Sequence, residues 1–192
     1  RYLRYGRLVT QMTLAPELAG ALPLIRALRR NGTIASAGHS QALEPELAQA
    51  VRAGLNQTTH TFNCMSVATK RGFRRVPGLL ECALMAEPIT CELIGDGCHV
   101  APTLMKLLYR CKGREGICLI TDAIPGSGMP VGTRFHIGAL SARVTPQAAL
   151  LADGSALAGS TLTMMEAVRR AVQLGGLPLV DAVRMATLNP AR

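Results

Sequence analysis

Short apolar runs alternate with longer segments in which every third or fourth position is apolar, and the pattern repeats along most of the chain. "RLVTQMTLA" (7–15) reads as a strand and "PELAGALPLIRALRRNG" (16–32) as a helix closed by Asn31-Gly32. The apolar spacing in "LPLIRALRR" fits a helix with one buried face. "TIASAGH" (33–39) is strand-like, "LEPELAQAVRAG" (43–54) is a helix ended by Gly54, and "QTTHTF" (57–62) is a short strand carrying His60. After a long basic loop come a helix in "GLLECALMA" (78–86), a strand and turn in "ITCELIGDGCHV" (89–100), and a helix in "PTLMKLLYRCKG" (102–113). "GICLITDAI" (116–124) is again a strand, with Asp122 at its tip. Strand, helix and strand at these short spacings predict parallel βα units.

The pattern changes at Val131. "TRFHIGALSARV" and "AALLADGSAL" alternate around Gly and Asp-Gly turns, which predicts a hairpin-like insertion at about 131–156. Helical periodicity resumes in "TLTMMEAVRRAVQLGG" and "PLVDAVRMATLNPAR". No internal repeat or low-complexity linker divides the chain, so one domain is expected over residues 1–192. About five parallel strands fit either a small doubly wound sheet or the later part of a (β/α)8 barrel whose first strands are not in this chain. Polar positions separate the two. His39, His60, His99 and Asp122 fall at or just after the C-terminal ends of successive strands. In a (β/α)8 barrel that is the rim where side chains from different strands converge. In a doubly wound sheet, four consecutive strand tips rarely share one centre. The expected fold class is α/β, a partial (β/α)8 TIM-type barrel.

Composition narrows the partners. The chain is 192 residues long and 48% hydrophobic, with no Trp, three Tyr and three Phe, so one sizeable core must be built from Leu, Val, Ile, Ala and Met. A net charge of +9 favours anionic partners, a phosphorylated substrate among them. The basic residues are scattered, at Arg1, Arg4, Arg7, Arg29-Arg30, Lys70-Arg71, Arg74-Arg75 and Arg169-Arg170. No nucleic-acid module or aromatic stacking platform accompanies them, and no nucleic-acid partner is expected. Cys64, Cys82, Cys91, Cys98, Cys111 and Cys118 form no C-x-x-C pair, and several lie in apolar runs where a free thiol acts as a small hydrophobe. A reducing, cytoplasmic compartment is expected. No apolar stretch has the length of a membrane span, so no membrane partner is expected. The opening "RYLRYGRLV" lacks an initiator Met and implies a missing N-terminal portion.

Two histidines and an aspartate on successive strand ends suit a divalent metal. Neutral imidazoles bind Zn²⁺ or Fe²⁺, and such a centre lowers the pKa of a water at its open position. An aspartate beside that water can take its proton and later give it to the leaving group. Taken alone, Asp122 in "TDAIPG" fits a turn or helix cap, and His99 in "DGCHV" fits a loop. Their joint placement favours a site. His136 lies in the insertion and is expected to be structural or exposed.

"VTQMTLAPEL", "SAGHSQA", "THTFNCM", "RRVPG", "ELIGDGCHV", "LITDAIP", "LAGSTLTM" and "RMATLNPAR" together resemble the N-acetylglucosamine-6-phosphate deacetylase family of the amidohydrolase superfamily, from about Val9 to Arg192. The resemblance implies hydrolysis of the N-acetyl group of N-acetylglucosamine 6-phosphate, with one divalent metal ion, Zn or Fe. It implies that His39 and His60 bind the metal and that Asp122 is the catalytic proton carrier. Asn63 and Cys64 match a pair that contacts the sugar phosphate, where the family more often has Asn-Ala. Arg75 matches a phosphate-binding arginine that reaches across a dimer interface, which implies a homodimer. Asp96, Gly97, Cys98 and His99 match a substrate-contacting turn, and Leu157, Ala158 and Gly159 a loop that closes over the substrate.

The chain also departs from the family pattern. Val76 stands where the family has an acid, which puts the phosphate loop in question. The family's third metal ligand, a glutamate, and a carbonyl-polarising histidine precede the "TLAPE" strand, and the companion β-sandwich is missing. Glu17 belongs to "LAPE" and is expected to start a helix rather than replace that glutamate. The resemblance therefore implies barrel strands 4 to 8 with an unpaired edge, association of the isolated chain, and little turnover by this stretch alone. The alternatives are a catalytically incomplete fragment that keeps a sugar-phosphate pocket, or an amidohydrolase acting on a related acetylated amino sugar.

Overall fold

Parallel pairing organises the first half of the chain. The computed structural model describes residues 2–192, leaving Arg1 outside the described residues. Two compact units are present, one ending at Glu92 and the other beginning at Leu93. A 3-10 segment, Tyr2–Leu8, precedes β1 (Gln11–Leu14). The sequence predicts this strand from Arg7, but Gly6 adopts φ 55 and the ladder begins only where the Ile34 amide meets the Thr10 carbonyl at 2.8 Å. The β1–β2 register runs from Gln11↔Ile34.

Helix α1 (Ala21–Arg30) buries Ala21, Ile25 and Leu28, the face that the periodicity predicts. Ile25 and Leu28 are fully buried, contributing roughly 1.5–3 kcal/mol each. The helix starts later than the predicted Pro16 because Gly20, at φ 85, lies outside helical space. Next come β2 (Ile34–Ala37), α2 (Glu44–Ala53) and β3 (Gln57–Thr58). β1 pairs with β2 from Gln11↔Ile34 to Leu14↔Ala37, and β2 with β3 at Ser36↔Gln57, all parallel.

The basic loop folds into a hairpin, β4 (Thr69–Arg71) and β5 (Arg74–Val76), in which Lys70 faces Arg75. Its residues are mostly exposed, so no apolar alternation announces it. Helix α3 (Leu79–Met85) leads into β6 (Thr90–Ile94), which pairs in parallel with β3 at Gln57↔Thr90 and Thr58↔Cys91.

In the second unit, α4 (Pro102–Lys112) buries Met105 and Leu108 and precedes β7 (Ile117–Ile120), the sheet neighbour of β6. The predicted hairpin-like insertion is a four-stranded antiparallel sheet that runs on to Gly159: β8 (Arg134–Ile137), β9 (Leu140–Val144), β10 (Ala149–Leu151) and β11 (Leu157–Gly159). Phe135, Ala142, Val144 and Ala149 form its small core, with Ile124, Ile137 and Ala158 packed against them. Leu157, Ala158 and Gly159, expected as a loop, are the edge strand β11, because β10 offers them an antiparallel partner. Helices α5 (Met164–Gln173) and α6 (Leu179–Ala186) follow. Beyond α6, Asn189 Nδ2 donates to the carbonyls of Arg114 (2.6 Å) and Ile117 (2.7 Å). The fold class is α/β, as the sequence predicts. Cys91 and Cys118 are buried. Among the described residues no helix is long and apolar enough to cross a membrane.

Candidate active site

His39 owes its place to the residue before it. A Cβ on Gly38 would lie 2.8 Å from Thr13 Cγ2 and 2.9 Å from Thr59 Cβ, so only glycine fits between them. Thr59 Oγ1 in turn shares hydrogen bonds with Thr13 Oγ1 (2.8 Å) and Ser36 Oγ (2.7 Å). The chain then turns through His39 at φ 49. Five non-glycine residues among those described have positive φ: His39, His60 (34), Phe62 (83), Cys64 (47) and Asp122 (47). Each such backbone costs about 1–3 kcal/mol and persists only where the surroundings impose it. Three of the five are the residues that the sequence places at strand tips as metal ligands and proton carrier.

The two histidines meet. Their Nε2 atoms are 2.9 Å apart, with ring centroids 4.7 Å apart and planes at 80°. Two imidazole nitrogens on one tetrahedral ion would stand about 3.3 Å apart, so the pair fits two positions of a metal centre. Among the described residues no third His, Cys, Asp or Glu completes a cluster with them. His60 is buried, and its Nδ1 has no hydrogen-bond partner.

Carboxylates brace both loops. Glu17 lies in the turn before α1 instead of starting that helix. Its Oε2 accepts from Ser40 Oγ and its Oε1 from the Gln41 amide, both at 2.7 Å, and this fixes the chain just after His39. Glu92 Oε2 accepts from the His60 amide at 3.2 Å. Glu92 lies outside the strand-tip pattern, and its signal in the sequence is an acid inside the apolar run "TCELI". Asn63 donates to the His60 carbonyl from both its amide (3.0 Å) and its Nδ2 (3.2 Å), while the Cys64 carbonyl accepts from the Ser40 amide at 3.1 Å. These two residues thus stitch the His60 loop to the His39 loop. Arg75 is exposed on β5. Val76 pairs with Thr69, so the hairpin closes without an acid at that position.

The second unit holds a different arrangement. Asp96 is 2% exposed. Its Oδ1 accepts from the amides of Cys98 (2.8 Å) and His99 (2.9 Å), and its Oδ2 meets His99 Nδ1 at 2.5 Å. Burial pushes the Asp96 carboxyl up, but the His99 ring and the two amides outweigh it and its pKa falls below the ordinary value. The hydrogen bond that His99 donates to Asp96 raises the His99 pKa against the effect of burial, and the charges of Asp96 and Asp122 add to the rise. Arg170 on α5 donates from Nη1 to the Asp96 carbonyl (2.8 Å) and from Nε to Glu166 (2.8 Å), anchoring the turn. Arg169 and Arg170 hold Glu166 down at about 2. Gly97 takes φ 74 in this turn, and Cys98 beside it is exposed. Asp122 is exposed just past β7, and the chain after it is fixed by the Ile124 amide donating to the Ser160 carbonyl at 3.0 Å. His136 is exposed on β8, outside this arrangement.

The α/β scaffold agrees with what the comparisons with known proteins find. The amidohydrolase family model matches residues 7–192, and this chain belongs to that family. It is similar to the N-acetylglucosamine-6-phosphate deacetylase of Lysinibacillus sphaericus, 39% identical over 188 residues, covering 97% of this chain and 47% of that protein. It is also similar to the N-acetylgalactosamine-6-phosphate deacetylase of Escherichia coli O157:H7, 38% identical over 181 residues, covering 94% of this chain and 46% of that one. Among solved structures, a mutant N-acetyl-D-glucosamine-6-phosphate deacetylase from Mycobacterium smegmatis in complex with N-acetyl-D-glucosamine-6-phosphate superposes with a TM-score of 0.89 at 37% identity. That match covers 99% of this chain and 50% of the other. The chain spans about half the length of the curated relatives it matches.

Proposed function

We propose that this chain carries the metal-binding histidines and the proton carrier of a deacetylase that converts N-acetylglucosamine 6-phosphate to glucosamine 6-phosphate and acetate, in cytoplasmic amino-sugar catabolism. The observation that carries the proposal is the meeting of His39 Nε2 and His60 Nε2 at 2.9 Å, each from a strand tip with left-handed backbone. The names of the relatives supply the substrate class. The finer architecture proposed is strands 4 to 8 of a (β/α)8 barrel.

His39 and His60 would hold one Zn²⁺ or Fe²⁺ together with a carboxylate ligand from outside this stretch. When bound, the ion supplies Lewis acidity toward a water and the acetyl carbonyl. Asp122 accepts the proton of the water as its oxygen bonds to the acetyl carbon, and returns that proton to the nitrogen as the C–N bond breaks. His99, with Nδ1 held by Asp96, turns its Nε2 toward the sugar. Asn63, Cys64 and Arg75 hold the phosphate; the guanidinium suits this because it presents paired donors to phosphate oxygens. Arg75 serves the neighbouring copy in a homodimer, and the Leu157–Gly159 edge closes over the substrate.

The test is acetate release by the complete gene product supplied with Zn²⁺ or Fe²⁺, on the 6-phosphates of N-acetylglucosamine and N-acetylgalactosamine. Asp122→Asn keeps the shape and should lower turnover about 10²–10⁴-fold. Turnover unchanged by Asp122→Asn would remove it as proton carrier. Preference for the galacto substrate would favour the second kind of relative.

A further inference from the structure

We infer that Glu92 is the positioning residue for His60, orienting this imidazole through its backbone rather than through its ring. The inference rests on the reading of His39 and His60 as metal ligands.

Glu92 stands in the middle of β6 between Cys91 and Leu93, which are fully buried, and is itself 8% exposed. A carboxyl group in such a place is costly unless hydrogen bonds replace the lost water. Its Oε1 accepts from Gln11 Nε2 (2.8 Å) and Gln57 Nε2 (2.6 Å), and its Oε2 from the His60 amide (3.2 Å). Gln57 Nε2 also donates to Gln11 Oε1 at 2.8 Å, so β1, β3 and β6 share one buried cluster. The Glu92 carbonyl accepts from the Thr61 amide at 2.8 Å. One residue thus holds two successive amides at the point where the chain turns through His60 at φ 34.

A metal-ligating histidine is ordinarily oriented by a carboxylate or carbonyl on its second ring nitrogen. Among the described residues no such partner reaches His60 Nδ1, which is buried. The ring direction therefore has to come from the backbone, and Glu92 supplies it. Each hydrogen-bond partner of the carboxyl named above is an N–H donor, so the position needs a side chain that only accepts. A glutamine has one acceptor oxygen. If that oxygen keeps the Gln11 and Gln57 donors, its own NH₂ confronts the His60 amide.

The experiment titrates the protein with Zn²⁺ in competition with a chromophoric chelator and records ¹⁵N signals of the histidine rings in the metal-free state. Glu92→Gln should weaken Zn²⁺ binding about 10–100-fold and shift the His60 ring signals. Gln11→Met removes a donor to the carboxyl without touching His60, and should leave affinity near wild type even where it lowers thermal stability. Wild-type affinity in Glu92→Gln would overturn the inference, as would equal losses in both variants. Should Glu92→Gln not fold, Glu92→Asp carries the test: it keeps acceptor oxygens but withdraws them, so affinity should fall part of the way, and wild-type affinity would overturn the inference. Failure of the metal reading itself looks different, since His39→Ala and His60→Ala would then leave Zn²⁺ binding unchanged. In that case the ring signals decide: a His60 shift in Glu92→Gln sustains the positioning role, and unchanged signals end it.

Discussion

His60 and His99 are wired in opposite ways. His60 has a free second nitrogen, a partner imidazole on its Nε2, and a carboxyl group bonded to its backbone. His99 has its Nδ1 bonded directly to a buried carboxylate, which raises its pKa. The first arrangement brings two ring nitrogens together at one point, as the proposed metal centre requires. The second favours a ring that keeps its proton and donates a hydrogen bond to a bound oxygen. In the proposed enzyme one residue type thus serves two chemistries, and the placement of the neighbouring carboxylate separates them.

Removing the carboxylate from the second arrangement should act on both titration and turnover. Asp96→Asn takes away the charge that holds His99, so the His99 pKa should fall to or below its ordinary 6.5, because burial then outweighs the remaining charge of Asp122. An NMR titration reads this directly. Loss of a charge-assisted bond, roughly 1.5–3 kcal/mol, should lower kcat/KM by about 10–150-fold. A His99 pKa that stays raised would mean that another group sets it.

Arg75→Ala probes a residue outside both arrangements. It should cost roughly 1.5–3 kcal/mol on phosphorylated substrate and little on the unphosphorylated sugar. Equal losses on the two would take Arg75 out of the phosphate site. Gly38→Ala strikes the first arrangement from below, since the added methyl meets Thr13 and Thr59 at under 3 Å. Overpacking of about 1–3 kcal/mol should lower the melting temperature and displace His39. A variant as stable as wild type would show that the two threonines yield.

The smallest effect expected is on stability against pH. The lowered pKa of Asp96 contributes stability above its ordinary 3.8, and this is lost as pH falls through the lowered value. The raised pKa of His99 contributes below its ordinary 6.5, and this is lost as pH rises through the raised value. The pair therefore stabilises the fold most between the two ordinary values. Denaturant unfolding of wild type and Asp96→Asn should differ most in that window and converge on either side. A difference independent of pH would point to packing alone.

Strand-tip position made His39, His60, His99 and Asp122 legible, because apolar runs that end in a polar residue carry both the element and its boundary in one pattern. What escaped has physical reasons. The β4–β5 hairpin is almost entirely exposed, so burial leaves no alternation to read. The antiparallel sheet seemed to end at 156 because Leu157–Gly159 is a short edge strand that only its partner defines. Glu17 looked like a helix start, yet its carboxylate is taken by Ser40 and Gln41, over twenty residues on. Glu92 gains its role from Gln11, Gln57 and His60, which are distant in sequence and meet only through parallel pairing.

The central claim, that His39 and His60 form two corners of a metal centre, is tested most directly by Zn²⁺ titration of the complete gene product beside its His39→Ala and His60→Ala variants. The account predicts one tight Zn²⁺ per chain in the wild type and an affinity more than ~100-fold weaker in each variant, a larger loss than any orienting residue produces. Wild-type affinity in either variant would contradict it.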